Sequence, residues 1–350
     1  WRPWINILMS DFKVNSITSR NGDHGPVIAG VSTNASSGCM ILPKGPTEFR
    51  GGRGRGVLGP GSAIPGPAVI TTQNYIEIAT TGNAQDFGDL SYGNAYRGGL
   101  ASSTRGVFVN GQNDQTTDYV TISSKGGGND FGEITSEDMG GATFNSSTIG
   151  LRAGGADGGV STSTIIGFRI AQISSFYNFG DLIEAGTYMN GASSHTRGII
   201  FGGVTPSDSP AVTNNIIQYV TMTSMGSAQD FGDLATARKY ADTTSNSVRA
   251  LAGGGQATPA ANTNSIEYVT IATTGNATDF GDLTSATALG KSGSVSTATR
   301  GIFAGFYPAK INGIDYVTIM STGNSVDFGD MTVLMAYVGG CSDSNGGLGE

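Results

Sequence analysis

His24 and His195 are the chain's two histidines, and general-base or metal-ligand chemistry near neutral pH would start from them. His24 lies in a Gly/Asp loop near the N-terminus and His195 in a Ser-Ser-His-Thr segment read as a strand. A strand sends Ser194 and His195 to opposite faces, so the two are not a nucleophile and its base. The histidines are also too few for a copper centre. Cys39 and Cys341, the two cysteines, cannot form a disulfide framework or a four-thiolate zinc site; a single bridge between them is left open. Carboxylates recur in pairs such as Asp86/Asp89 and Asp230/Asp233. That spacing lacks the dense oxygen set calcium takes, and side-chain-to-backbone turns are the expected role of Asp89, Asp181, Asp233, Asp282 and Asp330. No catalytic, cofactor-binding or metal-binding residue is assigned. Two carboxylates brought together by loops remain the one acid/base route that spacing leaves open.

Three glycine motifs are rejected on context. Gly54-Arg55-Gly56-Val57-Leu58-Gly59 fits the dinucleotide pattern, but Pro60, Pro65 and Pro67 follow it, so no helix N-terminus would meet a phosphate. Gly290-Lys291-Ser292 ends like a phosphate-binding loop, yet Ser285 stands where that loop needs glycine. Gly154-Gly155-Ala156-Asp157-Gly158 resembles a calcium-binding β-helix turn but occurs once.

The residues that do recur belong to a scaffold. Asp86-Phe87-Gly88-Asp89-Leu90 returns around Phe131, Phe179, Phe231, Phe280 and Phe328, at steps of 44, 48, 52, 49 and 48 residues. An Arg-Gly strand keeps step with it at Arg55, Arg105, Arg197, Arg249 (Arg-Ala) and Arg300, with Ile149-Gly150-Leu151 as a degenerate copy. A third strand precedes each Phe motif: Tyr75-Ile76-Glu77-Ile78, Tyr119-Val120-Thr121-Ile122, Phe168-Arg169-Ile170, then the copies opening at Tyr219, Tyr268 and Tyr316. A fourth segment of small residues, such as Ala241-Asp242-Thr243-Thr244-Ser245, lies between. Four short strands per repeat of this length make a propeller blade. The first repeat lacks its small-residue strand, and Ala336–Ser342 is a spare one after the last motif; pairing them closes six blades without an open sheet edge. The Phe is the expected plug between blades, worth roughly 1.5–3 kcal/mol when buried. The arginines are expected to pair with carbonyls or an aspartate of the adjoining blade, or else to line an electropositive channel for an anion or sugar.

Composition agrees. Of 350 residues 56 are glycine, only 13 % are charged, and the net charge is −8. Glycine accompanied by Ser, Thr, Val and Ile disfavours helix and favours strands and turns. An acidic chain whose only basic stretch is Arg50, Arg53 and Arg55 is not built for nucleic acid, and no apolar run reaches the ~18 residues of a transmembrane helix, so neither nucleic-acid binding nor membrane insertion is expected.

With its glycine pairs at Gly202-Gly203 and Gly253-Gly254, the tyrosine opening the third strand and the period, the stretch 51–350 resembles kelch-type propeller repeats. It departs from them in carrying Phe87 and its equivalents where the family has tryptophan, and in incomplete pairs at Asn110-Gly111 and Gly305-Phe306. The expected fold class is therefore all-β: a six-bladed kelch-like β-propeller closed by the C-terminal strand, with a short N-terminal β attachment segment. The domains read as 1–50 for that segment and 51–350 for the propeller. The blades read approximately as 51–90 plus 332–350, 91–134, 135–182, 183–234, 235–283 and 284–331.

Residues 9–50 do not repeat. Phe12–Thr18 alternates as a strand, Asn21-Gly22-Asp23 turns, and Pro26–Val31 reads as a second strand; so small a hairpin needs a surface to dock on. Met9-Ser10-Asp11 has the form of a translation start, which makes 1–8 either a processing remnant or an upstream extension. The run from Phe12 to Val27 resembles the leader of virion structural proteins of marine tailed phages, particularly those infecting cyanobacteria. That resemblance implies a fibre, whisker or decoration protein, anchored through residues 9–50 to other virion proteins or to copies of itself, and a virion or extracellular location. The expected function is a non-enzymatic structural or attachment protein displayed on such a particle or a related extracellular assembly, its propeller a scaffold for protein or host-surface contact. The alternative is a lectin-like propeller recognising host-surface glycans, with Tyr92, Tyr96, Tyr188 or Tyr240 as sugar-stacking faces. A carboxylate-based esterase or lyase ranks third.

Overall fold

In the computed structural model the described residues are 32–34, 39–41, 54–63, 69–112, 114–134, 140–157, 160–205, 212–257, 261–286, 294–306 and 312–348. Chain contacts divide the protein into Trp1–Phe49 and Arg50–Glu350. In the first unit Ser32–Asn34 pairs antiparallel with Cys39–Ile41; the strands expected at 12–18 and 26–31 lie outside the described residues.

The second unit is a six-bladed β-propeller. Blade 1 orders Gly340–Ser342, Arg55–Leu58, Thr72–Glu77 and Gln85–Asp89 from the axis outward. Blade 2 is Gly98–Ala101, Arg105–Val109, Thr116–Thr121 and Asn129–Glu133. Blade 3 is Ala142–Asn145, Ile149–Asp157, Val160–Arg169 and Tyr177–Asp181, and blade 4 is Asn190–Ser193, Arg197–Phe201, Ile216–Thr221 and Gln229–Asp233. Blade 5 is Asp242–Ser245, Arg249–Gly253, Ser265–Thr270 and Thr278–Asp282, and blade 6 is Val295–Ser296, Arg300–Ala304, Gly313–Thr318 and Val326–Asp330. All pairings within the blades are antiparallel. The one helix among the described residues is the 3₁₀ turn Gly346–Leu348.

The Phe motif explains how flat sheets become a ring. In each blade the outer ladder skips the Phe: Asn74 faces Asp86 and Gln73 faces Gly88, leaving Phe87 as the bulged residue, and the same shift recurs in all six. The bulge turns the ring inward and frees its carbonyl. Phe87 packs with Phe108, Val120 and Ile122 of blade 2, and Phe280 with Phe303, Val317 and Ile319 of blade 6. Phe328 closes the circle on Ile76 and Ile78 of blade 1. The freed carbonyls accept backbone N–H groups from the next blade: Phe231 O from Gly275 at 2.7 Å, Phe280 O from Gly323 at 2.7 Å and Phe328 O from Gly82 at 2.8 Å.

Five arginines staple the same junctions. Each stacks over its own blade's tyrosine, 4.2–4.8 Å from the ring centroid: Arg55 on Tyr75, Arg105 on Tyr119, Arg197 on Tyr219, Arg249 on Tyr268 and Arg300 on Tyr316. Each then donates to main-chain carbonyls of the following blade, as Arg197 does to Ile271 at 3.0 Å and Arg300 to Ile78 at 3.0 Å. Across the junction carbonyls, not an adjoining aspartate, are the partners, and Arg55 also pairs with Glu77 of its own blade at 2.8 Å. Blade 3 lacks both members. Its register places Gly167 at the tyrosine position and matches Phe168 and Arg169 to Val120 and Thr121 of blade 2. Tyr177 of the outer strand fills the space a Cβ on Gly167 would need, 2.7 Å away.

Closure is complete to the level of single hydrogen bonds. Gly56 faces Ser342, Val57 faces Cys341 and Leu58 faces Gly340. In blades 2 to 6 the turn between the first two strands is capped by Ser102, Ser146, Ser194, Asn246 or Thr297, whose side-chain oxygen accepts the N–H three residues on. In blade 1 Asp343 Oδ1 does this, accepting from Arg55 N at 3.0 Å and Gly54 N at 3.1 Å. The split turn thus copies the continuous ones across the chain break.

Candidate functional site

The last residues of the six innermost strands, Ala101, Asn145, Ser193, Ser245, Ser296 and Ser342, form a buried belt around the axis. Ser193 Oγ donates to Asn145 O at 2.7 Å, Ser245 Oγ to Ser193 O at 2.8 Å, Ser296 Oγ to Ser245 O at 2.7 Å and Ser342 Oγ to Ser296 O at 2.8 Å. Asn145 Nδ2 reaches Ala101 O at 2.6 Å, and Asn345 Nδ2 reaches Ser342 O at 3.3 Å where Ala101 has no hydroxyl to offer. These are small residues because adjacent strands converge here: a Cβ on Gly99 would lie 2.1 Å from Gly340 O.

The belt encloses a cavity of about 50 Å³, lined from all six blades by residues such as Thr143, Thr243, Ser245 and Ser296. That volume holds water, not a sugar. Neither Arg nor Lys is among its lining residues, so the electropositive axial channel expected as one role for the arginines is not formed. One end is shut by the tail, which crosses from blade 1 to set Gly346 against Ser193 O and Asn246 O, and Asn345 against Asn145.

Four tyrosines converge at the other end of the ring. Tyr96, Tyr188, Tyr240 and Tyr337 each precede their belt residue by five positions. Tyr96 of blade 2 and Tyr240 of the opposite blade 5 have centroids 6.5 Å apart, which puts both on the axis. Tyr96 stacks on Tyr337 at 4.3 Å, and Tyr188 meets Tyr240 at 4.5 Å. Lys239 Nζ lies 5.2 Å from the Tyr240 ring and 5.9 Å from that of Tyr188. Burial, reinforced by the neighbouring phenols, pushes the Tyr96 and Tyr240 hydroxyls up from their ordinary range, so both stay neutral. All four rings keep partial exposure at the mouth. All four also sit in left-handed backbone, at φ of 57° to 64°, a conformation that costs a non-glycine residue roughly 1–2 kcal/mol. Blade 3 has Gly140 at this position, φ 79°.

Arginines buried beneath this face hold it. Arg97, next to Tyr96, donates to Asp118 Oδ2 at 2.7 Å and Asp114 Oδ2 at 3.1 Å. Arg238, two residues before Tyr240, pairs with Glu267 and donates to Gly254 O at 2.9 Å. Arg152 bonds Asn110 Oδ1 at 2.9 Å and Gly154 O at 2.7 Å. Burial pushes the Asp114 carboxyl up, but hydrogen bonds from Thr116 N, Thr116 Oγ1 and Asn94, with the Arg97 charge, outweigh it and hold the group below its ordinary value.

Of the expected sugar-stacking residues, Tyr96, Tyr188 and Tyr240 meet, whereas Tyr92 is 55 % exposed and outside the cluster. The fourth member, Tyr337, lies in the closing segment Ala336–Ser342, and its constant five-residue lead over the belt is the signal that finds it. His195 is exposed in the turn after Ser193, not in a strand, and Ser194 Oγ accepts from Thr196 N and Arg197 N. His24 and Gly290-Lys291-Ser292 lie outside the described residues. Cys341 is a free thiol, and burial, followed by the nearby Asp343, pushes it up. The exposed carboxylates act locally: Asp130 Oδ1 accepts from Gly132 N at 2.8 Å, and Asp89 Oδ1 from Thr71 Oγ1 at 3.0 Å. No group of three His, Cys, Asp or Glu placed to hold a metal ion occurs among the described residues. No protein-family model matches this sequence, and the search of curated proteins found no match.

Proposed function

We propose that this protein is a non-enzymatic structural and attachment protein of a tailed-phage particle or a related extracellular assembly, with the propeller as its displayed scaffold. The observation that carries this reading is what the repeat is used for. The bulged Phe, the Gly beside it and the turn-capping Ser, Thr, Asn or Asp are engaged in the six junctions and turns, and the Arg–Tyr pair in five of them. The recurring residues therefore build a rigid carrier, and their repetition calls for no chemistry. The leader-like segment from Phe12 to Val27 supplies the particle context, and residues 9–50 are the attachment and oligomerisation element. Mass spectrometry of purified particles tests it: the polypeptide is expected among the virion proteins, and particles that lack it contradict the proposal.

A second reading, a lectin-like propeller recognising host-surface glycans, is favoured by one observation, the convergence of Tyr96, Tyr188, Tyr240 and Tyr337 at one mouth.

A further inference from the structure

The two faces of the ring are unlike. The face carrying the belt and the tail has short turns of one design, 102–104, 146–148, 194–196, 246–248 and 297–299, and the chain enters the ring on it at Gly54. Strand direction places the connections between second and third strands on the tyrosine face, where they differ from blade to blade. Blade 3 extends its hairpin to Asp157 and Val160, and blades 4 and 5 add the ribbons Val204–Thr205/Val212–Thr213 and Gln256–Ala257/Ala261–Asn262. A uniform face serves the scaffold; variation above a fixed frame is where recognition is placed.

We infer that the tyrosine mouth binds the terminal residue of a neutral saccharide. The inference rests on the attachment reading only in taking the propeller as a displayed module. Its first support is conformational. Gly140 shows that the fold accepts glycine at this position at no strain, yet four blades hold tyrosine there in left-handed backbone. Strain repeated where a relaxed alternative exists marks a function. Its second support is chemical: partly exposed aromatic faces offer stacking to sugar C–H groups, and neutral phenols with the Lys239 ammonium offer hydrogen bonds to hydroxyls. Its third support is shape and charge. Blades surround the mouth on every side, which suits a chain end over a through-running peptide, and a net charge of −8 disfavours polyanionic glycans and nucleic acid.

The test uses the full chain on an array of neutral, sialylated and sulfated saccharides with proline-rich peptides as controls, comparing wild type with Tyr240→Gly and Tyr96→Phe. Tyr240→Gly copies the Gly140 backbone but removes a packed ring, so the expected result is a folded protein that still melts cooperatively, together with at least a tenfold loss of a neutral-saccharide signal. Tyr96→Phe, which keeps the ring, is expected to fold normally and weaken the same signal less. Silence of folded wild-type protein toward every neutral saccharide overturns the inference, as does binding confined to anionic glycans or peptides. A signal that survives Tyr240→Gly overturns it as well. A negative array leaves the particle proposal standing, because virion mass spectrometry does not depend on this mouth.

Discussion

At the scale of single residues, the glycine after each bulged Phe meets two demands at once. Gly232 has φ 145°, and a Cβ there would stand 2.5 Å from the Gly275 carbonyl of the next blade. Backbone cannot yield as a side chain does, so Gly232→Ala is expected to cost about 1–3 kcal/mol, read as a lower midpoint in denaturant. Phe280→Ala at the neighbouring junction empties a packed interface and is expected to cost about 3–5 kcal/mol in the same assay. Asp114 gives a pH signature. Its folded carboxyl titrates below the unfolded value of 3.8, so its contribution is present above that value and is lost as pH falls through the folded one. Melting temperatures should therefore drop on acidification below about pH 4, and Asp114→Asn should be less stable at neutral pH with a shallower acid dependence. An Asp114→Asn protein with the parental acid profile would refute this assignment.

At the scale of the blade, the belt joins neighbours by hydroxyls standing in for a ladder. Ser245 Oγ donates to Ser193 O and accepts from Ser193 N. Ser245→Ala leaves both groups buried without that partner and is expected to cost about 1–3 kcal/mol, measured by thermal or denaturant melting. Much of the blade was legible from the chain alone: the short apolar run after each Arg, the tyrosine and the Phe-Gly motif recur in step and announce strands and junctions. Blade 3 was less legible because Gly167 stands where the other blades have tyrosine and Ile149 where they have arginine, leaving Phe168-Arg169-Ile170 as the third-strand signal. The belt looked merely like small residues, since serine at a convergence of strands has no local pattern. The buried arginines Arg97, Arg152 and Arg238 recur at no common position, so nothing in spacing reveals them. Three of the four axial tyrosines were singled out, but their meeting depends on blades that lie opposite one another in the ring.

At the scale of the whole propeller, circularity is the organising fact: Asp343 caps Arg55 as Ser194 caps Arg197, and the tail then covers the axis as far as Asn145 and Asn246. The position of the break is therefore arbitrary in energetic terms. A circular permutant of the ring that keeps the tail, joins Leu348 to Gly54 through a flexible linker and opens in the exposed turn at His195 is expected to melt within a few degrees of the parent ring. The most direct test of closure is removal of residues 336–350. This takes away the innermost strand of blade 1, the Asp343 cap and the belt member Ser342 together, exposing the edge of Arg55–Leu58 and unsealing the Phe328 junction. Thermal unfolding followed by near-ultraviolet circular dichroism should show no cooperative transition for the truncated chain; a transition at the parental temperature would contradict the closed ring.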